Sequence, residues 1–226
     1  MKKSTALLLG EVQKKMNGYA ALLNFHLMNL CVKAEPAALL PVSLKINGED
    51  AYIENAADIT TPQEDQFEIF PKAPELLFSI NKAIYLVHPD FKLEVKSKEE
   101  DEEDKYILCT MPEVNDDRHD TLMEGVKMAS EAAKIKIDAN FTEYMGKITA
   151  QLAGAKPEEI DEAKKNLEDI YNKHVDLCKE YRKNKEEEIE NAYQKYLAKE
   201  KEKEQQQKEQ EAAKGEKAGF SMKLEE

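Results

Sequence analysis

The chain has 226 residues, a formal net charge of −13, 35% charged residues and 41% hydrophobic ones. That acidic balance excludes broad nonspecific nucleic-acid binding, which needs basic surface facing phosphate, but leaves room for a local basic face. A low apolar fraction with high charge suits elongated helices, which have much surface and little core.

At the start, Lys2 and Lys3 precede only Leu7–Leu9. This apolar core is too short for a signal peptide, so the segment predicts a helix start with Ser4 or Thr5 as N-cap. From Leu8 to Val32 the apolar residues Leu8, Val12, Met16, Tyr19, Leu23, Leu27 and Leu30 step by three and four, the signature of one buried helical stripe. Leu22, Phe25 and Met28 widen it, which predicts contact with two partners. The helix is expected to stop near Lys33-Ala34-Glu35-Pro36, because the residue before a proline avoids the α region.

The period then changes to two. Leu40–Ile46 runs into Asn47-Gly48, a hairpin turn signal, with Ala51–Ile53 as the return strand. Asp65–Phe70 alternates as a strand. Pro74–Val87 reads as a helix with Leu76, Leu77, Ile80, Ile84 and Val87 on one side, and Phe91–Val95 and Tyr106–Cys109 as further strands. Between these last two, Glu99–Asp104 is a run of six carboxylates that reads as a solvated loop tip, since it lacks the spaced ligands and glycine of a calcium loop.

Helix resumes after Met111-Pro112, capped by Asn115 or Asp116. Leu122, Val126, Ala129, Ala133, Ile137, Phe141, Tyr144 and Ile148 carry it to about Leu152. At ~1.5 Å per residue this is a rod of about 50 Å. Gly154-Ala155-Lys156-Pro157 reverses the chain, so the third helix is the antiparallel neighbour of the second. Its seam is Ile160, Ala163, Leu167, Ile170, His174, Leu177 and Tyr181, resumed by Ile189, Ala192 and Tyr196. Past Lys199 the apolar pattern dissolves into Lys, Glu and Gln, and a disordered tail is expected from Lys201.

Chemistry-bearing residues are sparse. Cys31, Cys109 and Cys178 form no metal or redox spacing and read as free thiols. His26, His88, His119 and His174 pair with no cysteine or carboxylate at a catalytic or metal spacing. His174 reads as a packed imidazole of the seam and His119 as a surface residue. No phosphate loop, dinucleotide fingerprint or nucleophile elbow occurs, and with only 8 glycines little backbone is free to wrap a nucleotide. The expectation is no enzyme, no cofactor and no metal. No run reaches the roughly 18 apolar residues of a membrane span, so a cytoplasmic protein without a membrane partner is expected.

These parts define an α+β fold: an elongated three-helix bundle, residues 1–34 and 111–200, with a small β/α/β domain, residues 35–110, inserted between helices 1 and 2, and a charged tail, residues 201–226. This layout resembles the ribosome recycling factor family. The corner Val32-Lys33-Ala34-Glu35-Pro36 with Leu39-Leu40, the strand Ser43–Ile46 closed by Asn47-Gly48, and Met111-Pro112-Glu113-Val114-Asn115-Asp116-Asp117-Arg118 before the second helix carry the likeness. Leu122, Val126, Glu131, Ala133, Lys134, Ile135 and Ile137 continue it, and it spans about Glu11–Tyr196.

The resemblance implies a non-enzymatic, monomeric translation factor. Its bundle would meet large-subunit ribosomal RNA, and its small domain would swing about linkers at Lys33–Leu39 and Thr110–Glu113 while it works with elongation factor G. In the family an arginine-rich turn, Arg-Asn-Val-Arg-Arg-Asp, sits in the second helix. Here Asp138-Ala139-Asn140-Phe141-Thr142-Glu143 stands there, so the bidentate phosphate donors are gone. Lys33, Arg118, Lys127 and Lys134 keep a positive type and are the candidate ribosomal RNA contacts, with Lys136 and Lys147 nearby on the second helix. The expected role is that of a divergent paralogue with altered ribosome contact. The alternative is a cytoplasmic protein-interaction module that kept the fold and lost the RNA surface, with Phe141 and Tyr144 as candidate protein contacts. A third reading is a coiled-coil scaffold that self-associates through the helix after Tyr181.

Overall fold

The computed structural model describes residues 3–97 and 105–221, with side chains through Glu209. The acidic run Glu99–Asp104 lies outside the described residues. Helix α1 spans Lys3–Met28. After a 3-10 turn at Pro36–Leu39 come β1 (Ser43–Ile46), β2 (Glu49–Tyr52), a single turn α2 (Ile53–Ala56), β3 (Ala57–Gln63) and β4 (Gln66–Pro71). A second 3-10 turn at Pro74–Leu76 leads into α3 (Leu77–Val87), followed by β5 (Lys92–Ser97), β6 (Lys105–Thr110), α4 (Asp116–Gln151) and α5 (Pro157–Ser221). The chain thus leaves the helical body after α1, builds a sheet-bearing unit and returns at α4.

Helices α1, α4 and α5 pack on one another pairwise, and their apolar stripes form two clusters along the rod. One gathers Val12, Met16, Ile137, Tyr144, Ile148 and Leu167; the other gathers Leu23, Leu27, Leu122, Val126 and Ile189. The α1 stripe runs Thr5, Leu9, Val12, Met16, Ala20, Leu23, Leu27: Val12, Met16, Leu23 and Leu27 are as expected, and Leu9 and Ala20 take the places of Leu8 and Tyr19. Leu22 and Phe25 stay exposed, so two neighbours are reached without the widening they were expected to provide. Thr5 lies inside α1 and is buried, so neither Ser4 nor Thr5 caps it. The helix ends at Met28, five residues before the Lys33–Pro36 corner. The intervening Asn29–Val32 is bent backbone that crosses to the small unit.

The α4 start is the predicted one. Asn115 is the N-cap, and its Oδ1 accepts the Arg118 amide at 2.9 Å, satisfying one orphan donor, while Asp116 and Asp117 suit the helix dipole. Gly154 takes φ +80°, which a side chain resists, and Pro157 opens α5. The α5 helix continues to Ser221 rather than fraying at Lys201. Lys, Glu and Gln lose little rotamer freedom in a helix, and i, i+3 pairs such as Lys203–Glu200 at 2.7 Å support it. A vanished apolar period signals a vanished neighbour, not a vanished helix: residues 201–209 are all exposed.

The small unit holds a two-stranded hairpin, β1–β2, and a four-stranded antiparallel sheet ordered β3-β4-β6-β5. Asn47 and Gly48 both have positive φ (54° and 88°), the backbone that lets a two-residue turn follow strand twist. The return strand begins earlier than expected, at Glu49, and Ile53 already belongs to α2. Strand β3 was not legible: it is an edge strand, mostly exposed and closed by Pro62, so it lacks alternation. Phe67, Ile69, Ile80, Ile84 and Ile107 make the core of the unit. Val87 is exposed, not part of the α3 inner face.

Leu167 is fully buried between the helices. Leu167→Ala should lower unfolding free energy by about 2–5 kcal/mol in urea titration, whereas Gly154→Ala should cost about 1 kcal/mol, through its positive φ alone.

Candidate functional site

Two regions concentrate the candidate residues: the middle of α4, and the end of the bundle where both linkers cross. In the middle of α4, Asp138 accepts from Lys134 Nζ at 2.7 Å and from the Tyr171 hydroxyl at 2.8 Å. The Lys134 bond, helped by Tyr171, holds the Asp138 carboxyl below the usual aspartate range, and the same carboxylate pushes the Tyr171 phenol up. Asn140 is buried. Its Nδ2 donates to the Val12 carbonyl at 3.4 Å, and its Oδ1 has no partner. Phe141 is half-buried with its ring 4.6 Å from that of Tyr171. Thr142 bonds back to the Asp138 carbonyl at 3.0 Å, and Glu143 pairs with Lys147 and, at 3.8 Å, with Lys15 of α1. This stretch therefore locks the three helices together and presents carboxylate where phosphate would need cation.

The four candidate basic residues are all engaged. Lys33 pairs with Glu35 at 2.6 Å, Lys127 with Glu124 at 3.4 Å and Lys134 with Asp138. Those three remain exposed. Arg118 does not: its side chain is only 14% exposed. The guanidinium bonds Asp90 through Nη1 and, through Nη2, the Cys31 carbonyl at 2.9 Å. It joins α4 to the small unit and to the first linker, which removes it from the set of free RNA contacts. Tyr144 is also corrected. It is 2% exposed, its hydroxyl reaches Glu11 at 3.3 Å, and Lys15 and Lys147 flank its ring at 5.0 and 4.5 Å. It is core, because the α4 stripe turns it toward α1.

Sequence reasoning missed two exposed apolar residues on α4. Met128 and Ile135, seven apart, are 63% and 68% exposed. Their spacing marks one face, but single apolar residues between charges carry no periodic signal. Three of the four histidines pack or bond within the fold, and His26 is exposed on α1. His174 is buried, with Nδ1 2.7 Å from the Ile170 carbonyl and Nε2 2.7 Å from the Asn17 side-chain amide. His119, expected at the surface, is half-buried and stacks on Tyr193 at 4.4 Å. His88 meets the Ala38 carbonyl at 2.7 Å. Burial pushes the thiols up, Cys31 to about 11 and Cys109 to about 12, so neither is a ready nucleophile. Among the described residues no group of metal-ligating side chains comes together, and no helix is long and apolar enough to cross a membrane.

At the bundle end, the β3–β4 turn reaches both linkers. The Glu64 carbonyl accepts the Ala34 amide at 2.6 Å, and the Asp65 carbonyl accepts the Met111 amide at 2.8 Å. One turn thus holds the outgoing and the returning strand of chain at once.

The family model of ribosome recycling factor matches residues 25–189, well over half of the chain. The chain belongs to the ribosome recycling factor family. Its role is accordingly of the ribosome-recycling-factor kind, tied to translation, in a family of non-enzymatic factors. Among solved structures, a solution structure of ribosome recycling factor is 20% identical, with TM-score 0.70, and covers 84% of this chain and 100% of its own. A model of the T. thermophilus ribosome recycling factor, described with E. coli elongation factor G bound to the E. coli post-termination complex, is 20% identical with TM-score 0.56, covering 82% and 98%. Both show the same fold. No curated protein sequence matches the chain significantly. The match excludes the last part of α5.

Two measurements check the site. Arg118→Ala should cost about 1.5–3 kcal/mol in urea unfolding, since two charge-assisted bonds are lost from a mostly buried group. A carboxyl whose folded pKa is lowered adds stability above its ordinary range and loses it as pH falls through the lowered value. The urea midpoint should therefore fall on acidification below about pH 5, and Asp138→Asn should flatten that limb.

Proposed function

We propose that this protein is a divergent ribosome recycling factor paralogue. It keeps the rod and the inserted small domain but touches the ribosome through a weakened basic set. The observation that carries the reading is the family match across residues 25–189 on a fold of the same architecture. The T. thermophilus relative is described with elongation factor G on a post-termination complex. By kinship, this chain would bind the large subunit as a monomer in the cytoplasm and work with an elongation factor G.

The altered contact follows from charge. Lys33, Lys127 and Lys134 must leave Glu35, Glu124 and Asp138 to meet phosphate, and Asp138 and Glu143 repel it. Binding should therefore be weak and strongly salt-dependent. In co-sedimentation at low salt the protein should pellet with 50S or 70S particles and be released at moderate salt; absence from the pellet at every salt concentration would remove the ribosomal reading. Ala139→Arg combined with Glu143→Arg should raise retention several-fold, because cations return to the α4 stretch at its exposed positions and leave Asp138 and Phe141 in their contacts with Tyr171. Complementation of a recycling-deficient strain tests whether activity survives.

One observation favours a second reading, an interaction module for another protein. Met128 and Ile135 form an exposed apolar pair beside Glu131 and Asp138, a surface better suited to a protein than to RNA. Met128→Ser with Ile135→Ser, which adds no charge beside Lys127 and Lys134, should leave ribosome pelleting unchanged; loss of one defined non-ribosomal protein from a pull-down with this variant would favour the interaction module, and an unchanged pull-down would remove it.

A further inference from the structure

The α5 helix does more than close the bundle. Ile189 is its last fully buried core residue among those described, and there the family match also ends. Beyond that point it runs past the start of α4, alongside both linkers. Tyr193 marks the passage: its hydroxyl donates to Asp116 at 2.8 Å, and its ring stacks on His119. Two residues on, Lys195 Nζ donates to Glu64 at 2.7 Å, and about one turn after that Lys199 Nζ donates to Glu113 at 2.8 Å.

The identity of these two acceptors matters. Glu64 sits on the β3–β4 turn whose backbone carbonyl holds the first linker, and Glu113 lies on the second linker. Tyr196 and Ala192 line the same cleft, about 550 Å³, opposite Val32, Met111 and Pro112. The junction also carries a separate clamp, Arg118 with Asp90 and the Cys31 carbonyl. The small domain is thus gripped twice, once by α4 and once by α5.

We propose that the part of α5 beyond Ile189 is a strap that holds the small domain in one orientation relative to the bundle. The strap is electrostatic and solvent-exposed: the Lys195 and Glu64 side chains are 65% and 80% exposed, and those of Lys199 and Glu113 60% and 46%. Each such pair shifts an equilibrium by roughly two- to fivefold, and salt weakens it. Two pairs together tip the balance from a mobile small domain to a held one, and because both are exposed the strap is releasable: any surface that competes for Glu64 or Glu113 frees the small domain. The inference does not rest on ribosome binding, and its test contains no ribosome.

The experiment is residual dipolar coupling on the full chain in solution. In the unaltered protein at low salt, the small domain and the bundle should share one alignment tensor. The double variant Lys195→Glu, Lys199→Glu, whose substituted side chains are exposed, should keep both folds while the small domain's alignment magnitude drops below the bundle's. Adding Glu64→Lys and Glu113→Lys should restore the shared tensor by reversing both pairs. Salt near 1 M, where the Debye length is about 3 Å, should act like the double variant. A double variant whose two units still share one tensor overturns the strap, and so does a four-charge swap that fails to restore it.

Discussion

Everything in this molecule depends on how one turn of backbone manages two crossings. A helical body interrupted by an insertion must be left and re-entered, and here both passages lie at the same end. The carbonyls of Glu64 and Asp65 take the amides of Ala34 and Met111, one from each passage. Backbone bonds of this kind are independent of side-chain identity, so the junction can persist while surface chemistry drifts. Arg118 adds side-chain specificity at the same place, because a planar guanidinium can serve a carboxylate and a carbonyl together.

That division lets the family fold stand apart from the chemistry of its surface. The seams of α1, α4 and α5 are held by apolar packing, which tolerates exchange among residues of similar size. The stretch Asp138–Glu143 has been recruited into the seam instead. Asn140 is buried, Phe141 lies against Tyr171, and Asp138 is gripped by Lys134 and Tyr171. An arginine-rich turn would have to point away from this core, and the residues found here point partly into it. The same residues that leave this face without cations supply the bundle's cross-links.

Much of the architecture was legible because burial writes a period into sequence. The α4 stripe, the Asn115 cap, the Asn47-Gly48 turn and the Gly154–Pro157 reversal each follow from local chemistry. Strand β3 escaped because an exposed edge has no face to alternate. The end of α5 escaped for the opposite reason: helicity there comes from propensity and charge pairing, which leave no apolar trace. Of the candidate site, the absence of arginine from Asp138–Glu143 was plain in the residues themselves. Which cations were free was not, because pairing depends on partners far along the chain. Arg118 meets Asp90 and Lys195 meets Glu64, separations no local pattern encodes.

The buried thiols have a consequence of their own. Cys31 lies two residues before the first linker and Cys109 near the end of β6, one residue before the second linker, both shielded and both held as neutral sulfhydryls. A thiol in that state reacts with an alkylating reagent only during the moments when water and base reach it. The protein therefore carries a native clock at each crossing. The rate at which the two sulfurs are capped, compared with the less deeply buried Cys178 on α5, reports how often the neck of the molecule breathes.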